Sequence, residues 1–269
     1  VSRWSLDEVR VGLAPERVVL QRVRRGWQPR VLAQQALDAD PAGEAPWAGA
    51  LGALARALEA REWRRATARA VLSDRLLRYA AVPWSERLAD RAETAEVAAA
   101  QLRAIHGERA DGWTVRVSEG RYGAAWLAAG VDSELLARLA ALCESARLGL
   151  TRVAPFFAAA CNRFRRSLRE PALWFAALEG GRLTAARRDA AGWQGVSSVR
   201  VAGDARSELA ALVDRHDLLH GPPGEPAPLY LYAPGACLGD APVGAAGHPL
   251  RPLEAGPGAD AGLALAEVL

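Results

Sequence analysis

The sequence predicts an α/β fold of two lobes, each built around a three-stranded β-meander. Three observations point there. Residues 9–28 and 174–194 align with a single gap, pairing Leu13 with Leu178, Arg17 with Arg182, Val18 with Leu183, Arg22 with Arg187, and Gly26-Trp27-Gln28 with Gly192-Trp193-Gln194. Each copy is an apolar run, a tight turn, a second run, another turn and a third run, the third runs at residues 31–33 and 196–201. Pro15 marks the first turn of one copy and Gly180-Gly181 that of the other, the turn chemistry a meander requires. The copies lie about 165 residues apart, far beyond a solenoid period, so a duplicated fold accounts for them better than a repeat array. Finally, 269 residues, 51% of them hydrophobic, suffice for one large core or two smaller ones.

In chain order, the first meander runs to about residue 37, and a loop follows over 38–46. Residues 47–63 have helical spacing, with Leu51, Leu54 and Leu58 on one face. Residues 68–84 read as a strand, a short turn at Ser73-Asp74 and a second strand closed by Pro83. A second helix is expected over 91–106, and a hairpin over 113–128 turning at Glu119-Gly120. Residues 132–146 are an amphipathic helix, with Asp132 placed to cap its start and Gly149 past its end. Residues 151–169 read as another helix, after Pro155. The second meander follows, then a helix over 205–219 and a short buried strand over 228–233. From Gly235 the chain is rich in glycine and proline, which predicts loop with an edge strand at 250–253. The lobe boundary falls at Arg169-Glu170-Pro171. Residues 1–170 make the first lobe, with a subdomain inserted at about 85–130, and residues 171–269 make the second.

Composition excludes more than it selects. The net charge is +3, and all 34 basic residues are arginine. Without lysine there is no P-loop lysine, no Schiff-base lysine and no lysine general base. A charge this small does not by itself point to nucleic acid. No apolar run is long enough to span a bilayer, and no signal peptide is expected. Cys143, Cys161 and Cys237 are scattered, with neither ligand spacing nor an even framework, which fits a reducing compartment.

Three segments carry a family resemblance. One is Val9-Arg10-Val11-Gly12 with its hairpin, and another is the strand–turn–strand at 70–84. The third is 128–162, where a strand leads to Val131-Asp132 at the head of a helix, then a strand, then a proline opening a helix. Together they resemble the actin-like ATPase superfamily, and within it the PilM protein of type IV pilus assembly and the cytoplasmic domain of the type II secretion protein GspL. The segments cover most of the first lobe; the second lobe matches by topology. The resemblance implies a two-lobe actin-like (RNase H-like) fold with duplicated β-meander lobes.

In the nucleotide-binding members, each meander's first turn cradles phosphate with Asp-x-Gly followed by Ser or Thr. The carboxylate holds the metal or its waters, and the glycine lets backbone N–H groups approach phosphate. Here Arg10 stands where that Asp would be, Gly12 is kept, and Pro15 removes a donor. Residues 176–181 end in Gly180 and Gly181 but hold no Asp-x-Gly-x-Thr, and of the adenosine-side glycine pair only Gly235 survives. The expectation is a degenerate phosphate site, with no cofactor, no metal and no catalysis. A direct phosphate contact by Arg10 is the competing reading, but positive charge alone does not position an attacking water. The resemblance then implies a cytoplasmic scaffold, peripheral to the inner membrane. It would bind the short cytoplasmic tail of a PilN-like or other single-span partner, with self-association left open. The alternatives are an active ATP-binding or ATP-hydrolysing enzyme of the same fold and an arginine-rich nucleic-acid-binding module.

The remaining candidates are weaker signals. His216 and His220 lie one helical turn apart beside Asp214 and Asp217, and a third metal ligand would have to be His248 or His106. A polar helix end before Gly221-Pro222-Pro223 is the plainer reading. Cys161 follows an apolar helix and reads as core. Arg61, Trp63, Arg64, Arg65 and Arg69, and Arg163, Arg165, Arg166 and Arg169, could neutralise phosphates or rest near an anionic membrane. Glu59, Glu62 and Glu170 interleave with them, so solvated faces are the default and no nucleic acid is expected. Tyr79, Trp84, Tyr122 and Trp126 sit beside arginines and are the expected partner-binding aromatics, with core filling the alternative for each.

Overall fold

A computed structural model describes residues 7–41, 43, 45–86, 90–118, 120–220, 225–236, 239, 241–254 and 264–269. The first meander is β1 (Asp7–Ala14), β2 (Arg17–Arg24) and β3 (Arg30–Asp38), followed by α1 (Ala48–Ala57) and β4 (Thr67–Leu72). Next come β5 (Leu77–Val82), α2 (Arg91–His106), β6 (Trp113–Val117) and β7 (Trp126–Asp132), then α3 (Ser133–Ser145), β8 (Gly149–Pro155) and α4 (Phe156–Arg163). The second meander is β9 (Leu173–Glu179), β10 (Arg182–Asp189) and β11 (Gly192–Arg200). After it come α5 (Ala205–His220), β12 (Leu229–Tyr232), β13 (Leu250–Leu253) and α6 (Ala264–Glu267).

Two five-stranded sheets repeat one topology. Their orders are β3-β2-β1-β4-β8 and β11-β10-β9-β12-β13. In each, a meander of antiparallel pairs is extended on the side of its first strand by two parallel strands. The aligned residues occupy equivalent register positions. Leu13 faces Val18 as Leu178 faces Leu183, and Val9 faces Arg22 as Trp174 faces Arg187. Both middle strands also carry a register shift at the same place, between Arg22 and Val23 and between Arg187 and Arg188. Beyond the shift the copies diverge. Residues 25–29 connect β2 to β3, with Trp27 at 99% exposure, whereas Gly192-Trp193-Gln194 opens β11. The Gly-Trp-Gln alignment is therefore a sequence match without structural equivalence.

Two further expectations change. Residues 151–155 are strand, not helix: β8 runs through Pro155 beside β4, and α4 covers only Phe156–Arg163. Helix α1 ends at Ala57, and Trp63 belongs to a separate 3-10 turn, Arg61–Trp63, fully buried. The β6–β7 connection is longer than a tight turn, and Glu119 within it lies outside the described residues, as do Cys237 and Gly221-Pro222-Pro223.

Contacts group the chain into two compact units: Val1–Leu77, Val131–Ala159 and Pro257–Leu269 in one, Arg78–Gly130 and Ala160–Gly256 in the other. This differs from the expected division at residue 170. One reason is that the inserted β5-β7-β6 sheet has its own small core, with Val82, Ala98 and Ala128 buried under α2. It also bridges to the second meander, at Ala125 and Gly192. The other reason is that α6 packs on the first sheet.

In the first unit, Val9, Val11 and Leu13 point from β1 towards Leu51 and Leu54 of α1 and Leu135 and Leu139 of α3, all buried together. Asp132 joins those two helices. Its Oδ1 caps α3 by accepting from Glu134 N at 2.8 Å, and its Oδ2 accepts from Trp47 Nε1 at 2.8 Å. The opposite face of β1 presents Gly12, and a Cβ there would overlap Leu265 Cβ and lie 3.3 Å from Ala266 N of α6. In the second unit, Trp174, Ala176 and Leu183 pack with Leu209 and Val213 of α5 and Leu229 and Leu231 of β12. No helix among the described residues is long and apolar enough to cross a membrane.

Two stability predictions follow from these contacts. Gly12→Ala should destabilise the first unit by about 1–3 kcal/mol, because the added methyl overpacks against α6. Hydrogen exchange should then show early opening of 264–269, and unchanged protection there would refute the contact. Asp132→Ala should cost about 2–4 kcal/mol in urea unfolding, because it removes a cap and leaves the indole N–H of buried Trp47 unpaired. Asp132→Asn should cost less.

Candidate functional site

The meander turns come first, because they are where the fold would hold phosphate. Arg10 lies in the body of β1, opposite Gln21, and not in the turn. Its Nε donates to Glu8 Oε1 at 3.3 Å. Glu8 is 1% exposed and also pairs with Arg25, and with Arg69 at 3.8 Å. Gly12 faces Val19, and the room above it is filled by Leu265. The turn itself is Pro15-Glu16, with Glu16 paired to Arg75. In the second meander, Gly180 and Gly181 adopt φ of +53° and +70°, the left-handed pair of a two-residue hairpin turn. The nearest hydroxyl on β10, Thr184, bonds Ser198 on β11 at 2.9 Å. Gly235 follows β12 with φ +76°.

One buried carboxylate here escaped the sequence reading. Asp74 was expected only as a turn residue, yet it is 1% exposed and its Oδ1 accepts from Phe157 N at 3.1 Å, at the start of α4. Its only sequence signal was an acid next to the turn serine.

Three arginines of the two clusters bond backbone carbonyls of this chain. Arg64 donates to the Leu58 and Glu59 carbonyls, Arg69 to the Leu269 carbonyl, and Arg169 to the Arg166 carbonyl. Trp63 is buried and offers no face for stacking a base. Cys143 lies in the core of the first unit and Cys161 is half-buried; burial pushes Cys143 up to about 11 and Cys161 up to about 12, the latter partly offset by Arg188.

The histidines form a packing network. Fully buried His248 places Nδ1 against the Ala227 backbone and Nε2 at 3.3 Å from Asp217 Oδ2, while Asp217 Oδ1 lies 3.8 Å from Arg187. His216 meets Trp174 edge-on at 4.7 Å and stacks on His220 at 4.1 Å. His106 instead packs on Trp113. No group of three or more His, Cys, Asp or Glu side chains among the described residues could hold a metal.

The second unit does hold a pocket, of about 280 Å³, beside the inserted sheet. Trp84, just past β5, and Tyr122, in the β6–β7 connection, meet edge to face at 5.3 Å and 72°. Trp126, at the start of β7, is the third aromatic of the lining, and Glu86 and Asp90 bring carboxylates. Three of the four expected aromatics are thus gathered in one place. Tyr79 is not among the lining residues. Trp126 is seated against Gly120, where a Cβ would overlap its ring and lie 2.6 Å from Nε1.

Comparison with known proteins identifies the fold. No protein-family model and no curated protein matches the sequence. Among solved structures, the cytoplasmic domain of EpsL, an inner-membrane component of the type II secretion system of Vibrio cholerae, matches over 97% of this chain and 94% of its own, with TM-score 0.60 and 16% identity. A PilM–PilN type IV pilus biogenesis complex matches over 93% and 88%, with TM-score 0.58 and 16% identity. A Bacteroides thetaiotaomicron protein with an actin-like ATPase fold matches over 87% and 83%, with TM-score 0.56 and 9% identity. The chain has the actin-like ATPase fold, as the segments at 9–12, 70–84 and 128–162 implied.

The histidine network makes a pH prediction. Burial first, then the charges of His220 and Arg187, push His216 down to about 4, against opposing effects of Asp217 and Asp189. A base whose folded value lies below its unfolded value of about 6.5 gains a proton on unfolding, so acid favours the unfolded state. Its contribution is complete above about pH 6.5 and is lost as the pH falls towards 4. Tm measured from pH 7 to 4 should therefore fall less steeply in His216→Phe than in the parent. Parallel curves would remove His216 from the account.

Proposed function

We propose that this chain is a non-catalytic, actin-like scaffold of a type IV pilus or type II secretion assembly platform at the cytoplasmic face of the inner membrane. It binds the short cytoplasmic tail of a single-span membrane partner of the PilN kind. The observation that carries this reading is the likeness to the EpsL cytoplasmic domain and to PilM over nearly the full length of all three chains.

The meander turns support the non-catalytic part. A Mg-nucleotide site needs a carboxylate for the metal or its waters and N–H or hydroxyl donors for the phosphates. Arg10 replaces the carboxylate and is held by Glu8. The space above Gly12 belongs to α6. Pro15 has no N–H, and residues 176–181 hold no Asp-x-Gly-x-Thr. An extended tail takes affinity from backbone bonds and specificity from side-chain pockets, and the aromatic pocket of the second unit supplies one such feature.

Calorimetric titration with Mg-ATP should give no saturable heat. Micromolar binding that Arg10→Ala abolishes would mean a rebuilt phosphate turn and would refute the pseudo-ATPase reading. In parallel, the immobilised chain should capture the cytoplasmic tail of the single-span membrane protein encoded beside it. Failure to bind any inner-membrane assembly component, together with nanomolar affinity for a nucleotide or nucleic acid, would sink the scaffold reading.

A further inference from the structure

We propose that the pocket at Trp84, Tyr122 and Trp126 receives one cationic side chain, an arginine or lysine, from the partner's tail; the proposal rests on the scaffold reading above. Three observations converge on a cation. The lining combines three aromatic rings with the carboxylates of Glu86 and Asp90, and among the described lining residues there is no arginine or histidine. Aromatic faces and carboxylates attract a cation through the ring quadrupole and through charge, and they act together when they share a cavity. The edge-to-face packing of Trp84 and Tyr122 makes a corner of two crossed ring planes, which a flat apolar ligand cannot stack on both sides. Tyr122 is 88% exposed although its ring packs on Trp84, so much of this aromatic surface remains uncovered by the chain itself.

Size and charge select a side chain of a polypeptide. At about 280 Å³ the pocket has room for one long side chain. Cytoplasmic segments next to a membrane span carry an excess of lysine and arginine, so the expected partner brings the complementary charge. One of the two carboxylates is held in place by the chain: Asp90 Oδ1 accepts from Ala92 N at 2.7 Å and Glu93 N at 2.9 Å, capping α2. Trp126 is held by its seat against Gly120. The structure thus brings aromatic faces and carboxylates together in one pocket.

The test uses the full chain and two kinds of probe. N-acetyl-arginine amide should shift the indole N–H resonances of Trp84 and Trp126 saturably at millimolar concentration, and N-acetyl-glutamine amide should not. Glu86→Gln combined with Asp90→Asn should abolish the shifts; the asparagine retains the helix cap, so loss of fold does not confuse the result. Gly120→Ala should weaken the shifts by displacing Trp126 while leaving every charged and aromatic group in place. In the synthetic tail, replacing the basic residues by glutamine should weaken binding roughly tenfold. Equal shifts from the neutral amide would overturn the proposal. Equal tail affinity with and without the basic residues would overturn it too, while leaving the scaffold reading standing. Shifts from the arginine amide with no tail binding at all would overturn both the proposed occupant and the scaffold reading.

Discussion

Strand β1 is covered on both faces, and most of the first unit is arranged to satisfy that cover. Its odd-numbered residues, Val9, Val11 and Leu13, are buried against α1 and α3. Its even-numbered residues, Glu8, Arg10, Gly12 and Ala14, turn to the other face. A central strand can bury that face only if nothing polar is left unmatched. Gly12 meets the condition by having no side chain, which lets α6 approach to backbone distance. Glu8 meets it by drawing guanidinium groups from Arg10, Arg25 and Arg69 around a single carboxylate. The register then places Arg10, Arg69 and Arg152 in one row across three strands. In the second unit β9 holds the equivalent position, with Leu173 to Ala177 all buried, and the same strand order grows around it.

What was legible in the sequence was the part set by local period and turn chemistry. A two-residue turn fixes hairpin register, so aligning Pro15-Glu16 with Gly180-Gly181 placed Leu13, Arg17 and Arg22 correctly on their partners. The alignment lost meaning at Gly26-Trp27-Gln28 because a loop of five residues in one copy replaces a turn of two in the other. Thr151 to Val153 reads equally well as helix or strand when the next residues are an apolar helix, and only pairing with β4 decides it. The contact grouping rests in part on packing that no local signal carries. Nothing local to 264–269 says that it packs 250 residues away in sequence, or that Gly12 is small because Leu265 needs the space. Of the site, the aromatic residues were legible as types, and their gathering was not, since Trp84 and Tyr122 meet only through the folding of the insert.

Some residues that first looked functional, His216, Asp217 and His248, are interior polar groups. His216 and His220 have metal-like spacing on α5, yet His216 packs on Trp174 and stacks on His220, and His248 pairs with Asp217. Of the arginines that resembled a nucleic-acid patch, Arg64 and Arg169 close carbonyls at turns and helix ends. An alanine-rich sequence has short side chains over much of its interior, and long arginine stems fill the remaining volume while their heads reach acceptors near the surface. Spacing alone cannot separate such a role from ligand binding, because both require polar groups in fixed positions.

The same constraint explains where binding chemistry can reside. The first turn of each meander is two residues long and sits between strands whose register must be kept, so it has little freedom to acquire new groups. The insert between β4 and α3 is under no such restraint, because neither five-stranded sheet runs through it. Its buried core is small, Val82, Ala98 and Ala128, and does not consume its largest side chains. Trp84, Tyr122 and Trp126 are therefore left at its rim, where connections between elements are free to vary and to carry recognition. Gly120 lies beneath Trp126 and Asp90 caps α2 within the insert, while Ala125, next to Trp126, bridges to Gly192 of the second meander. A fold that has given its glycine and its charged strand residues to packing can thus retain a binding surface, provided that surface is built outside the two sheets.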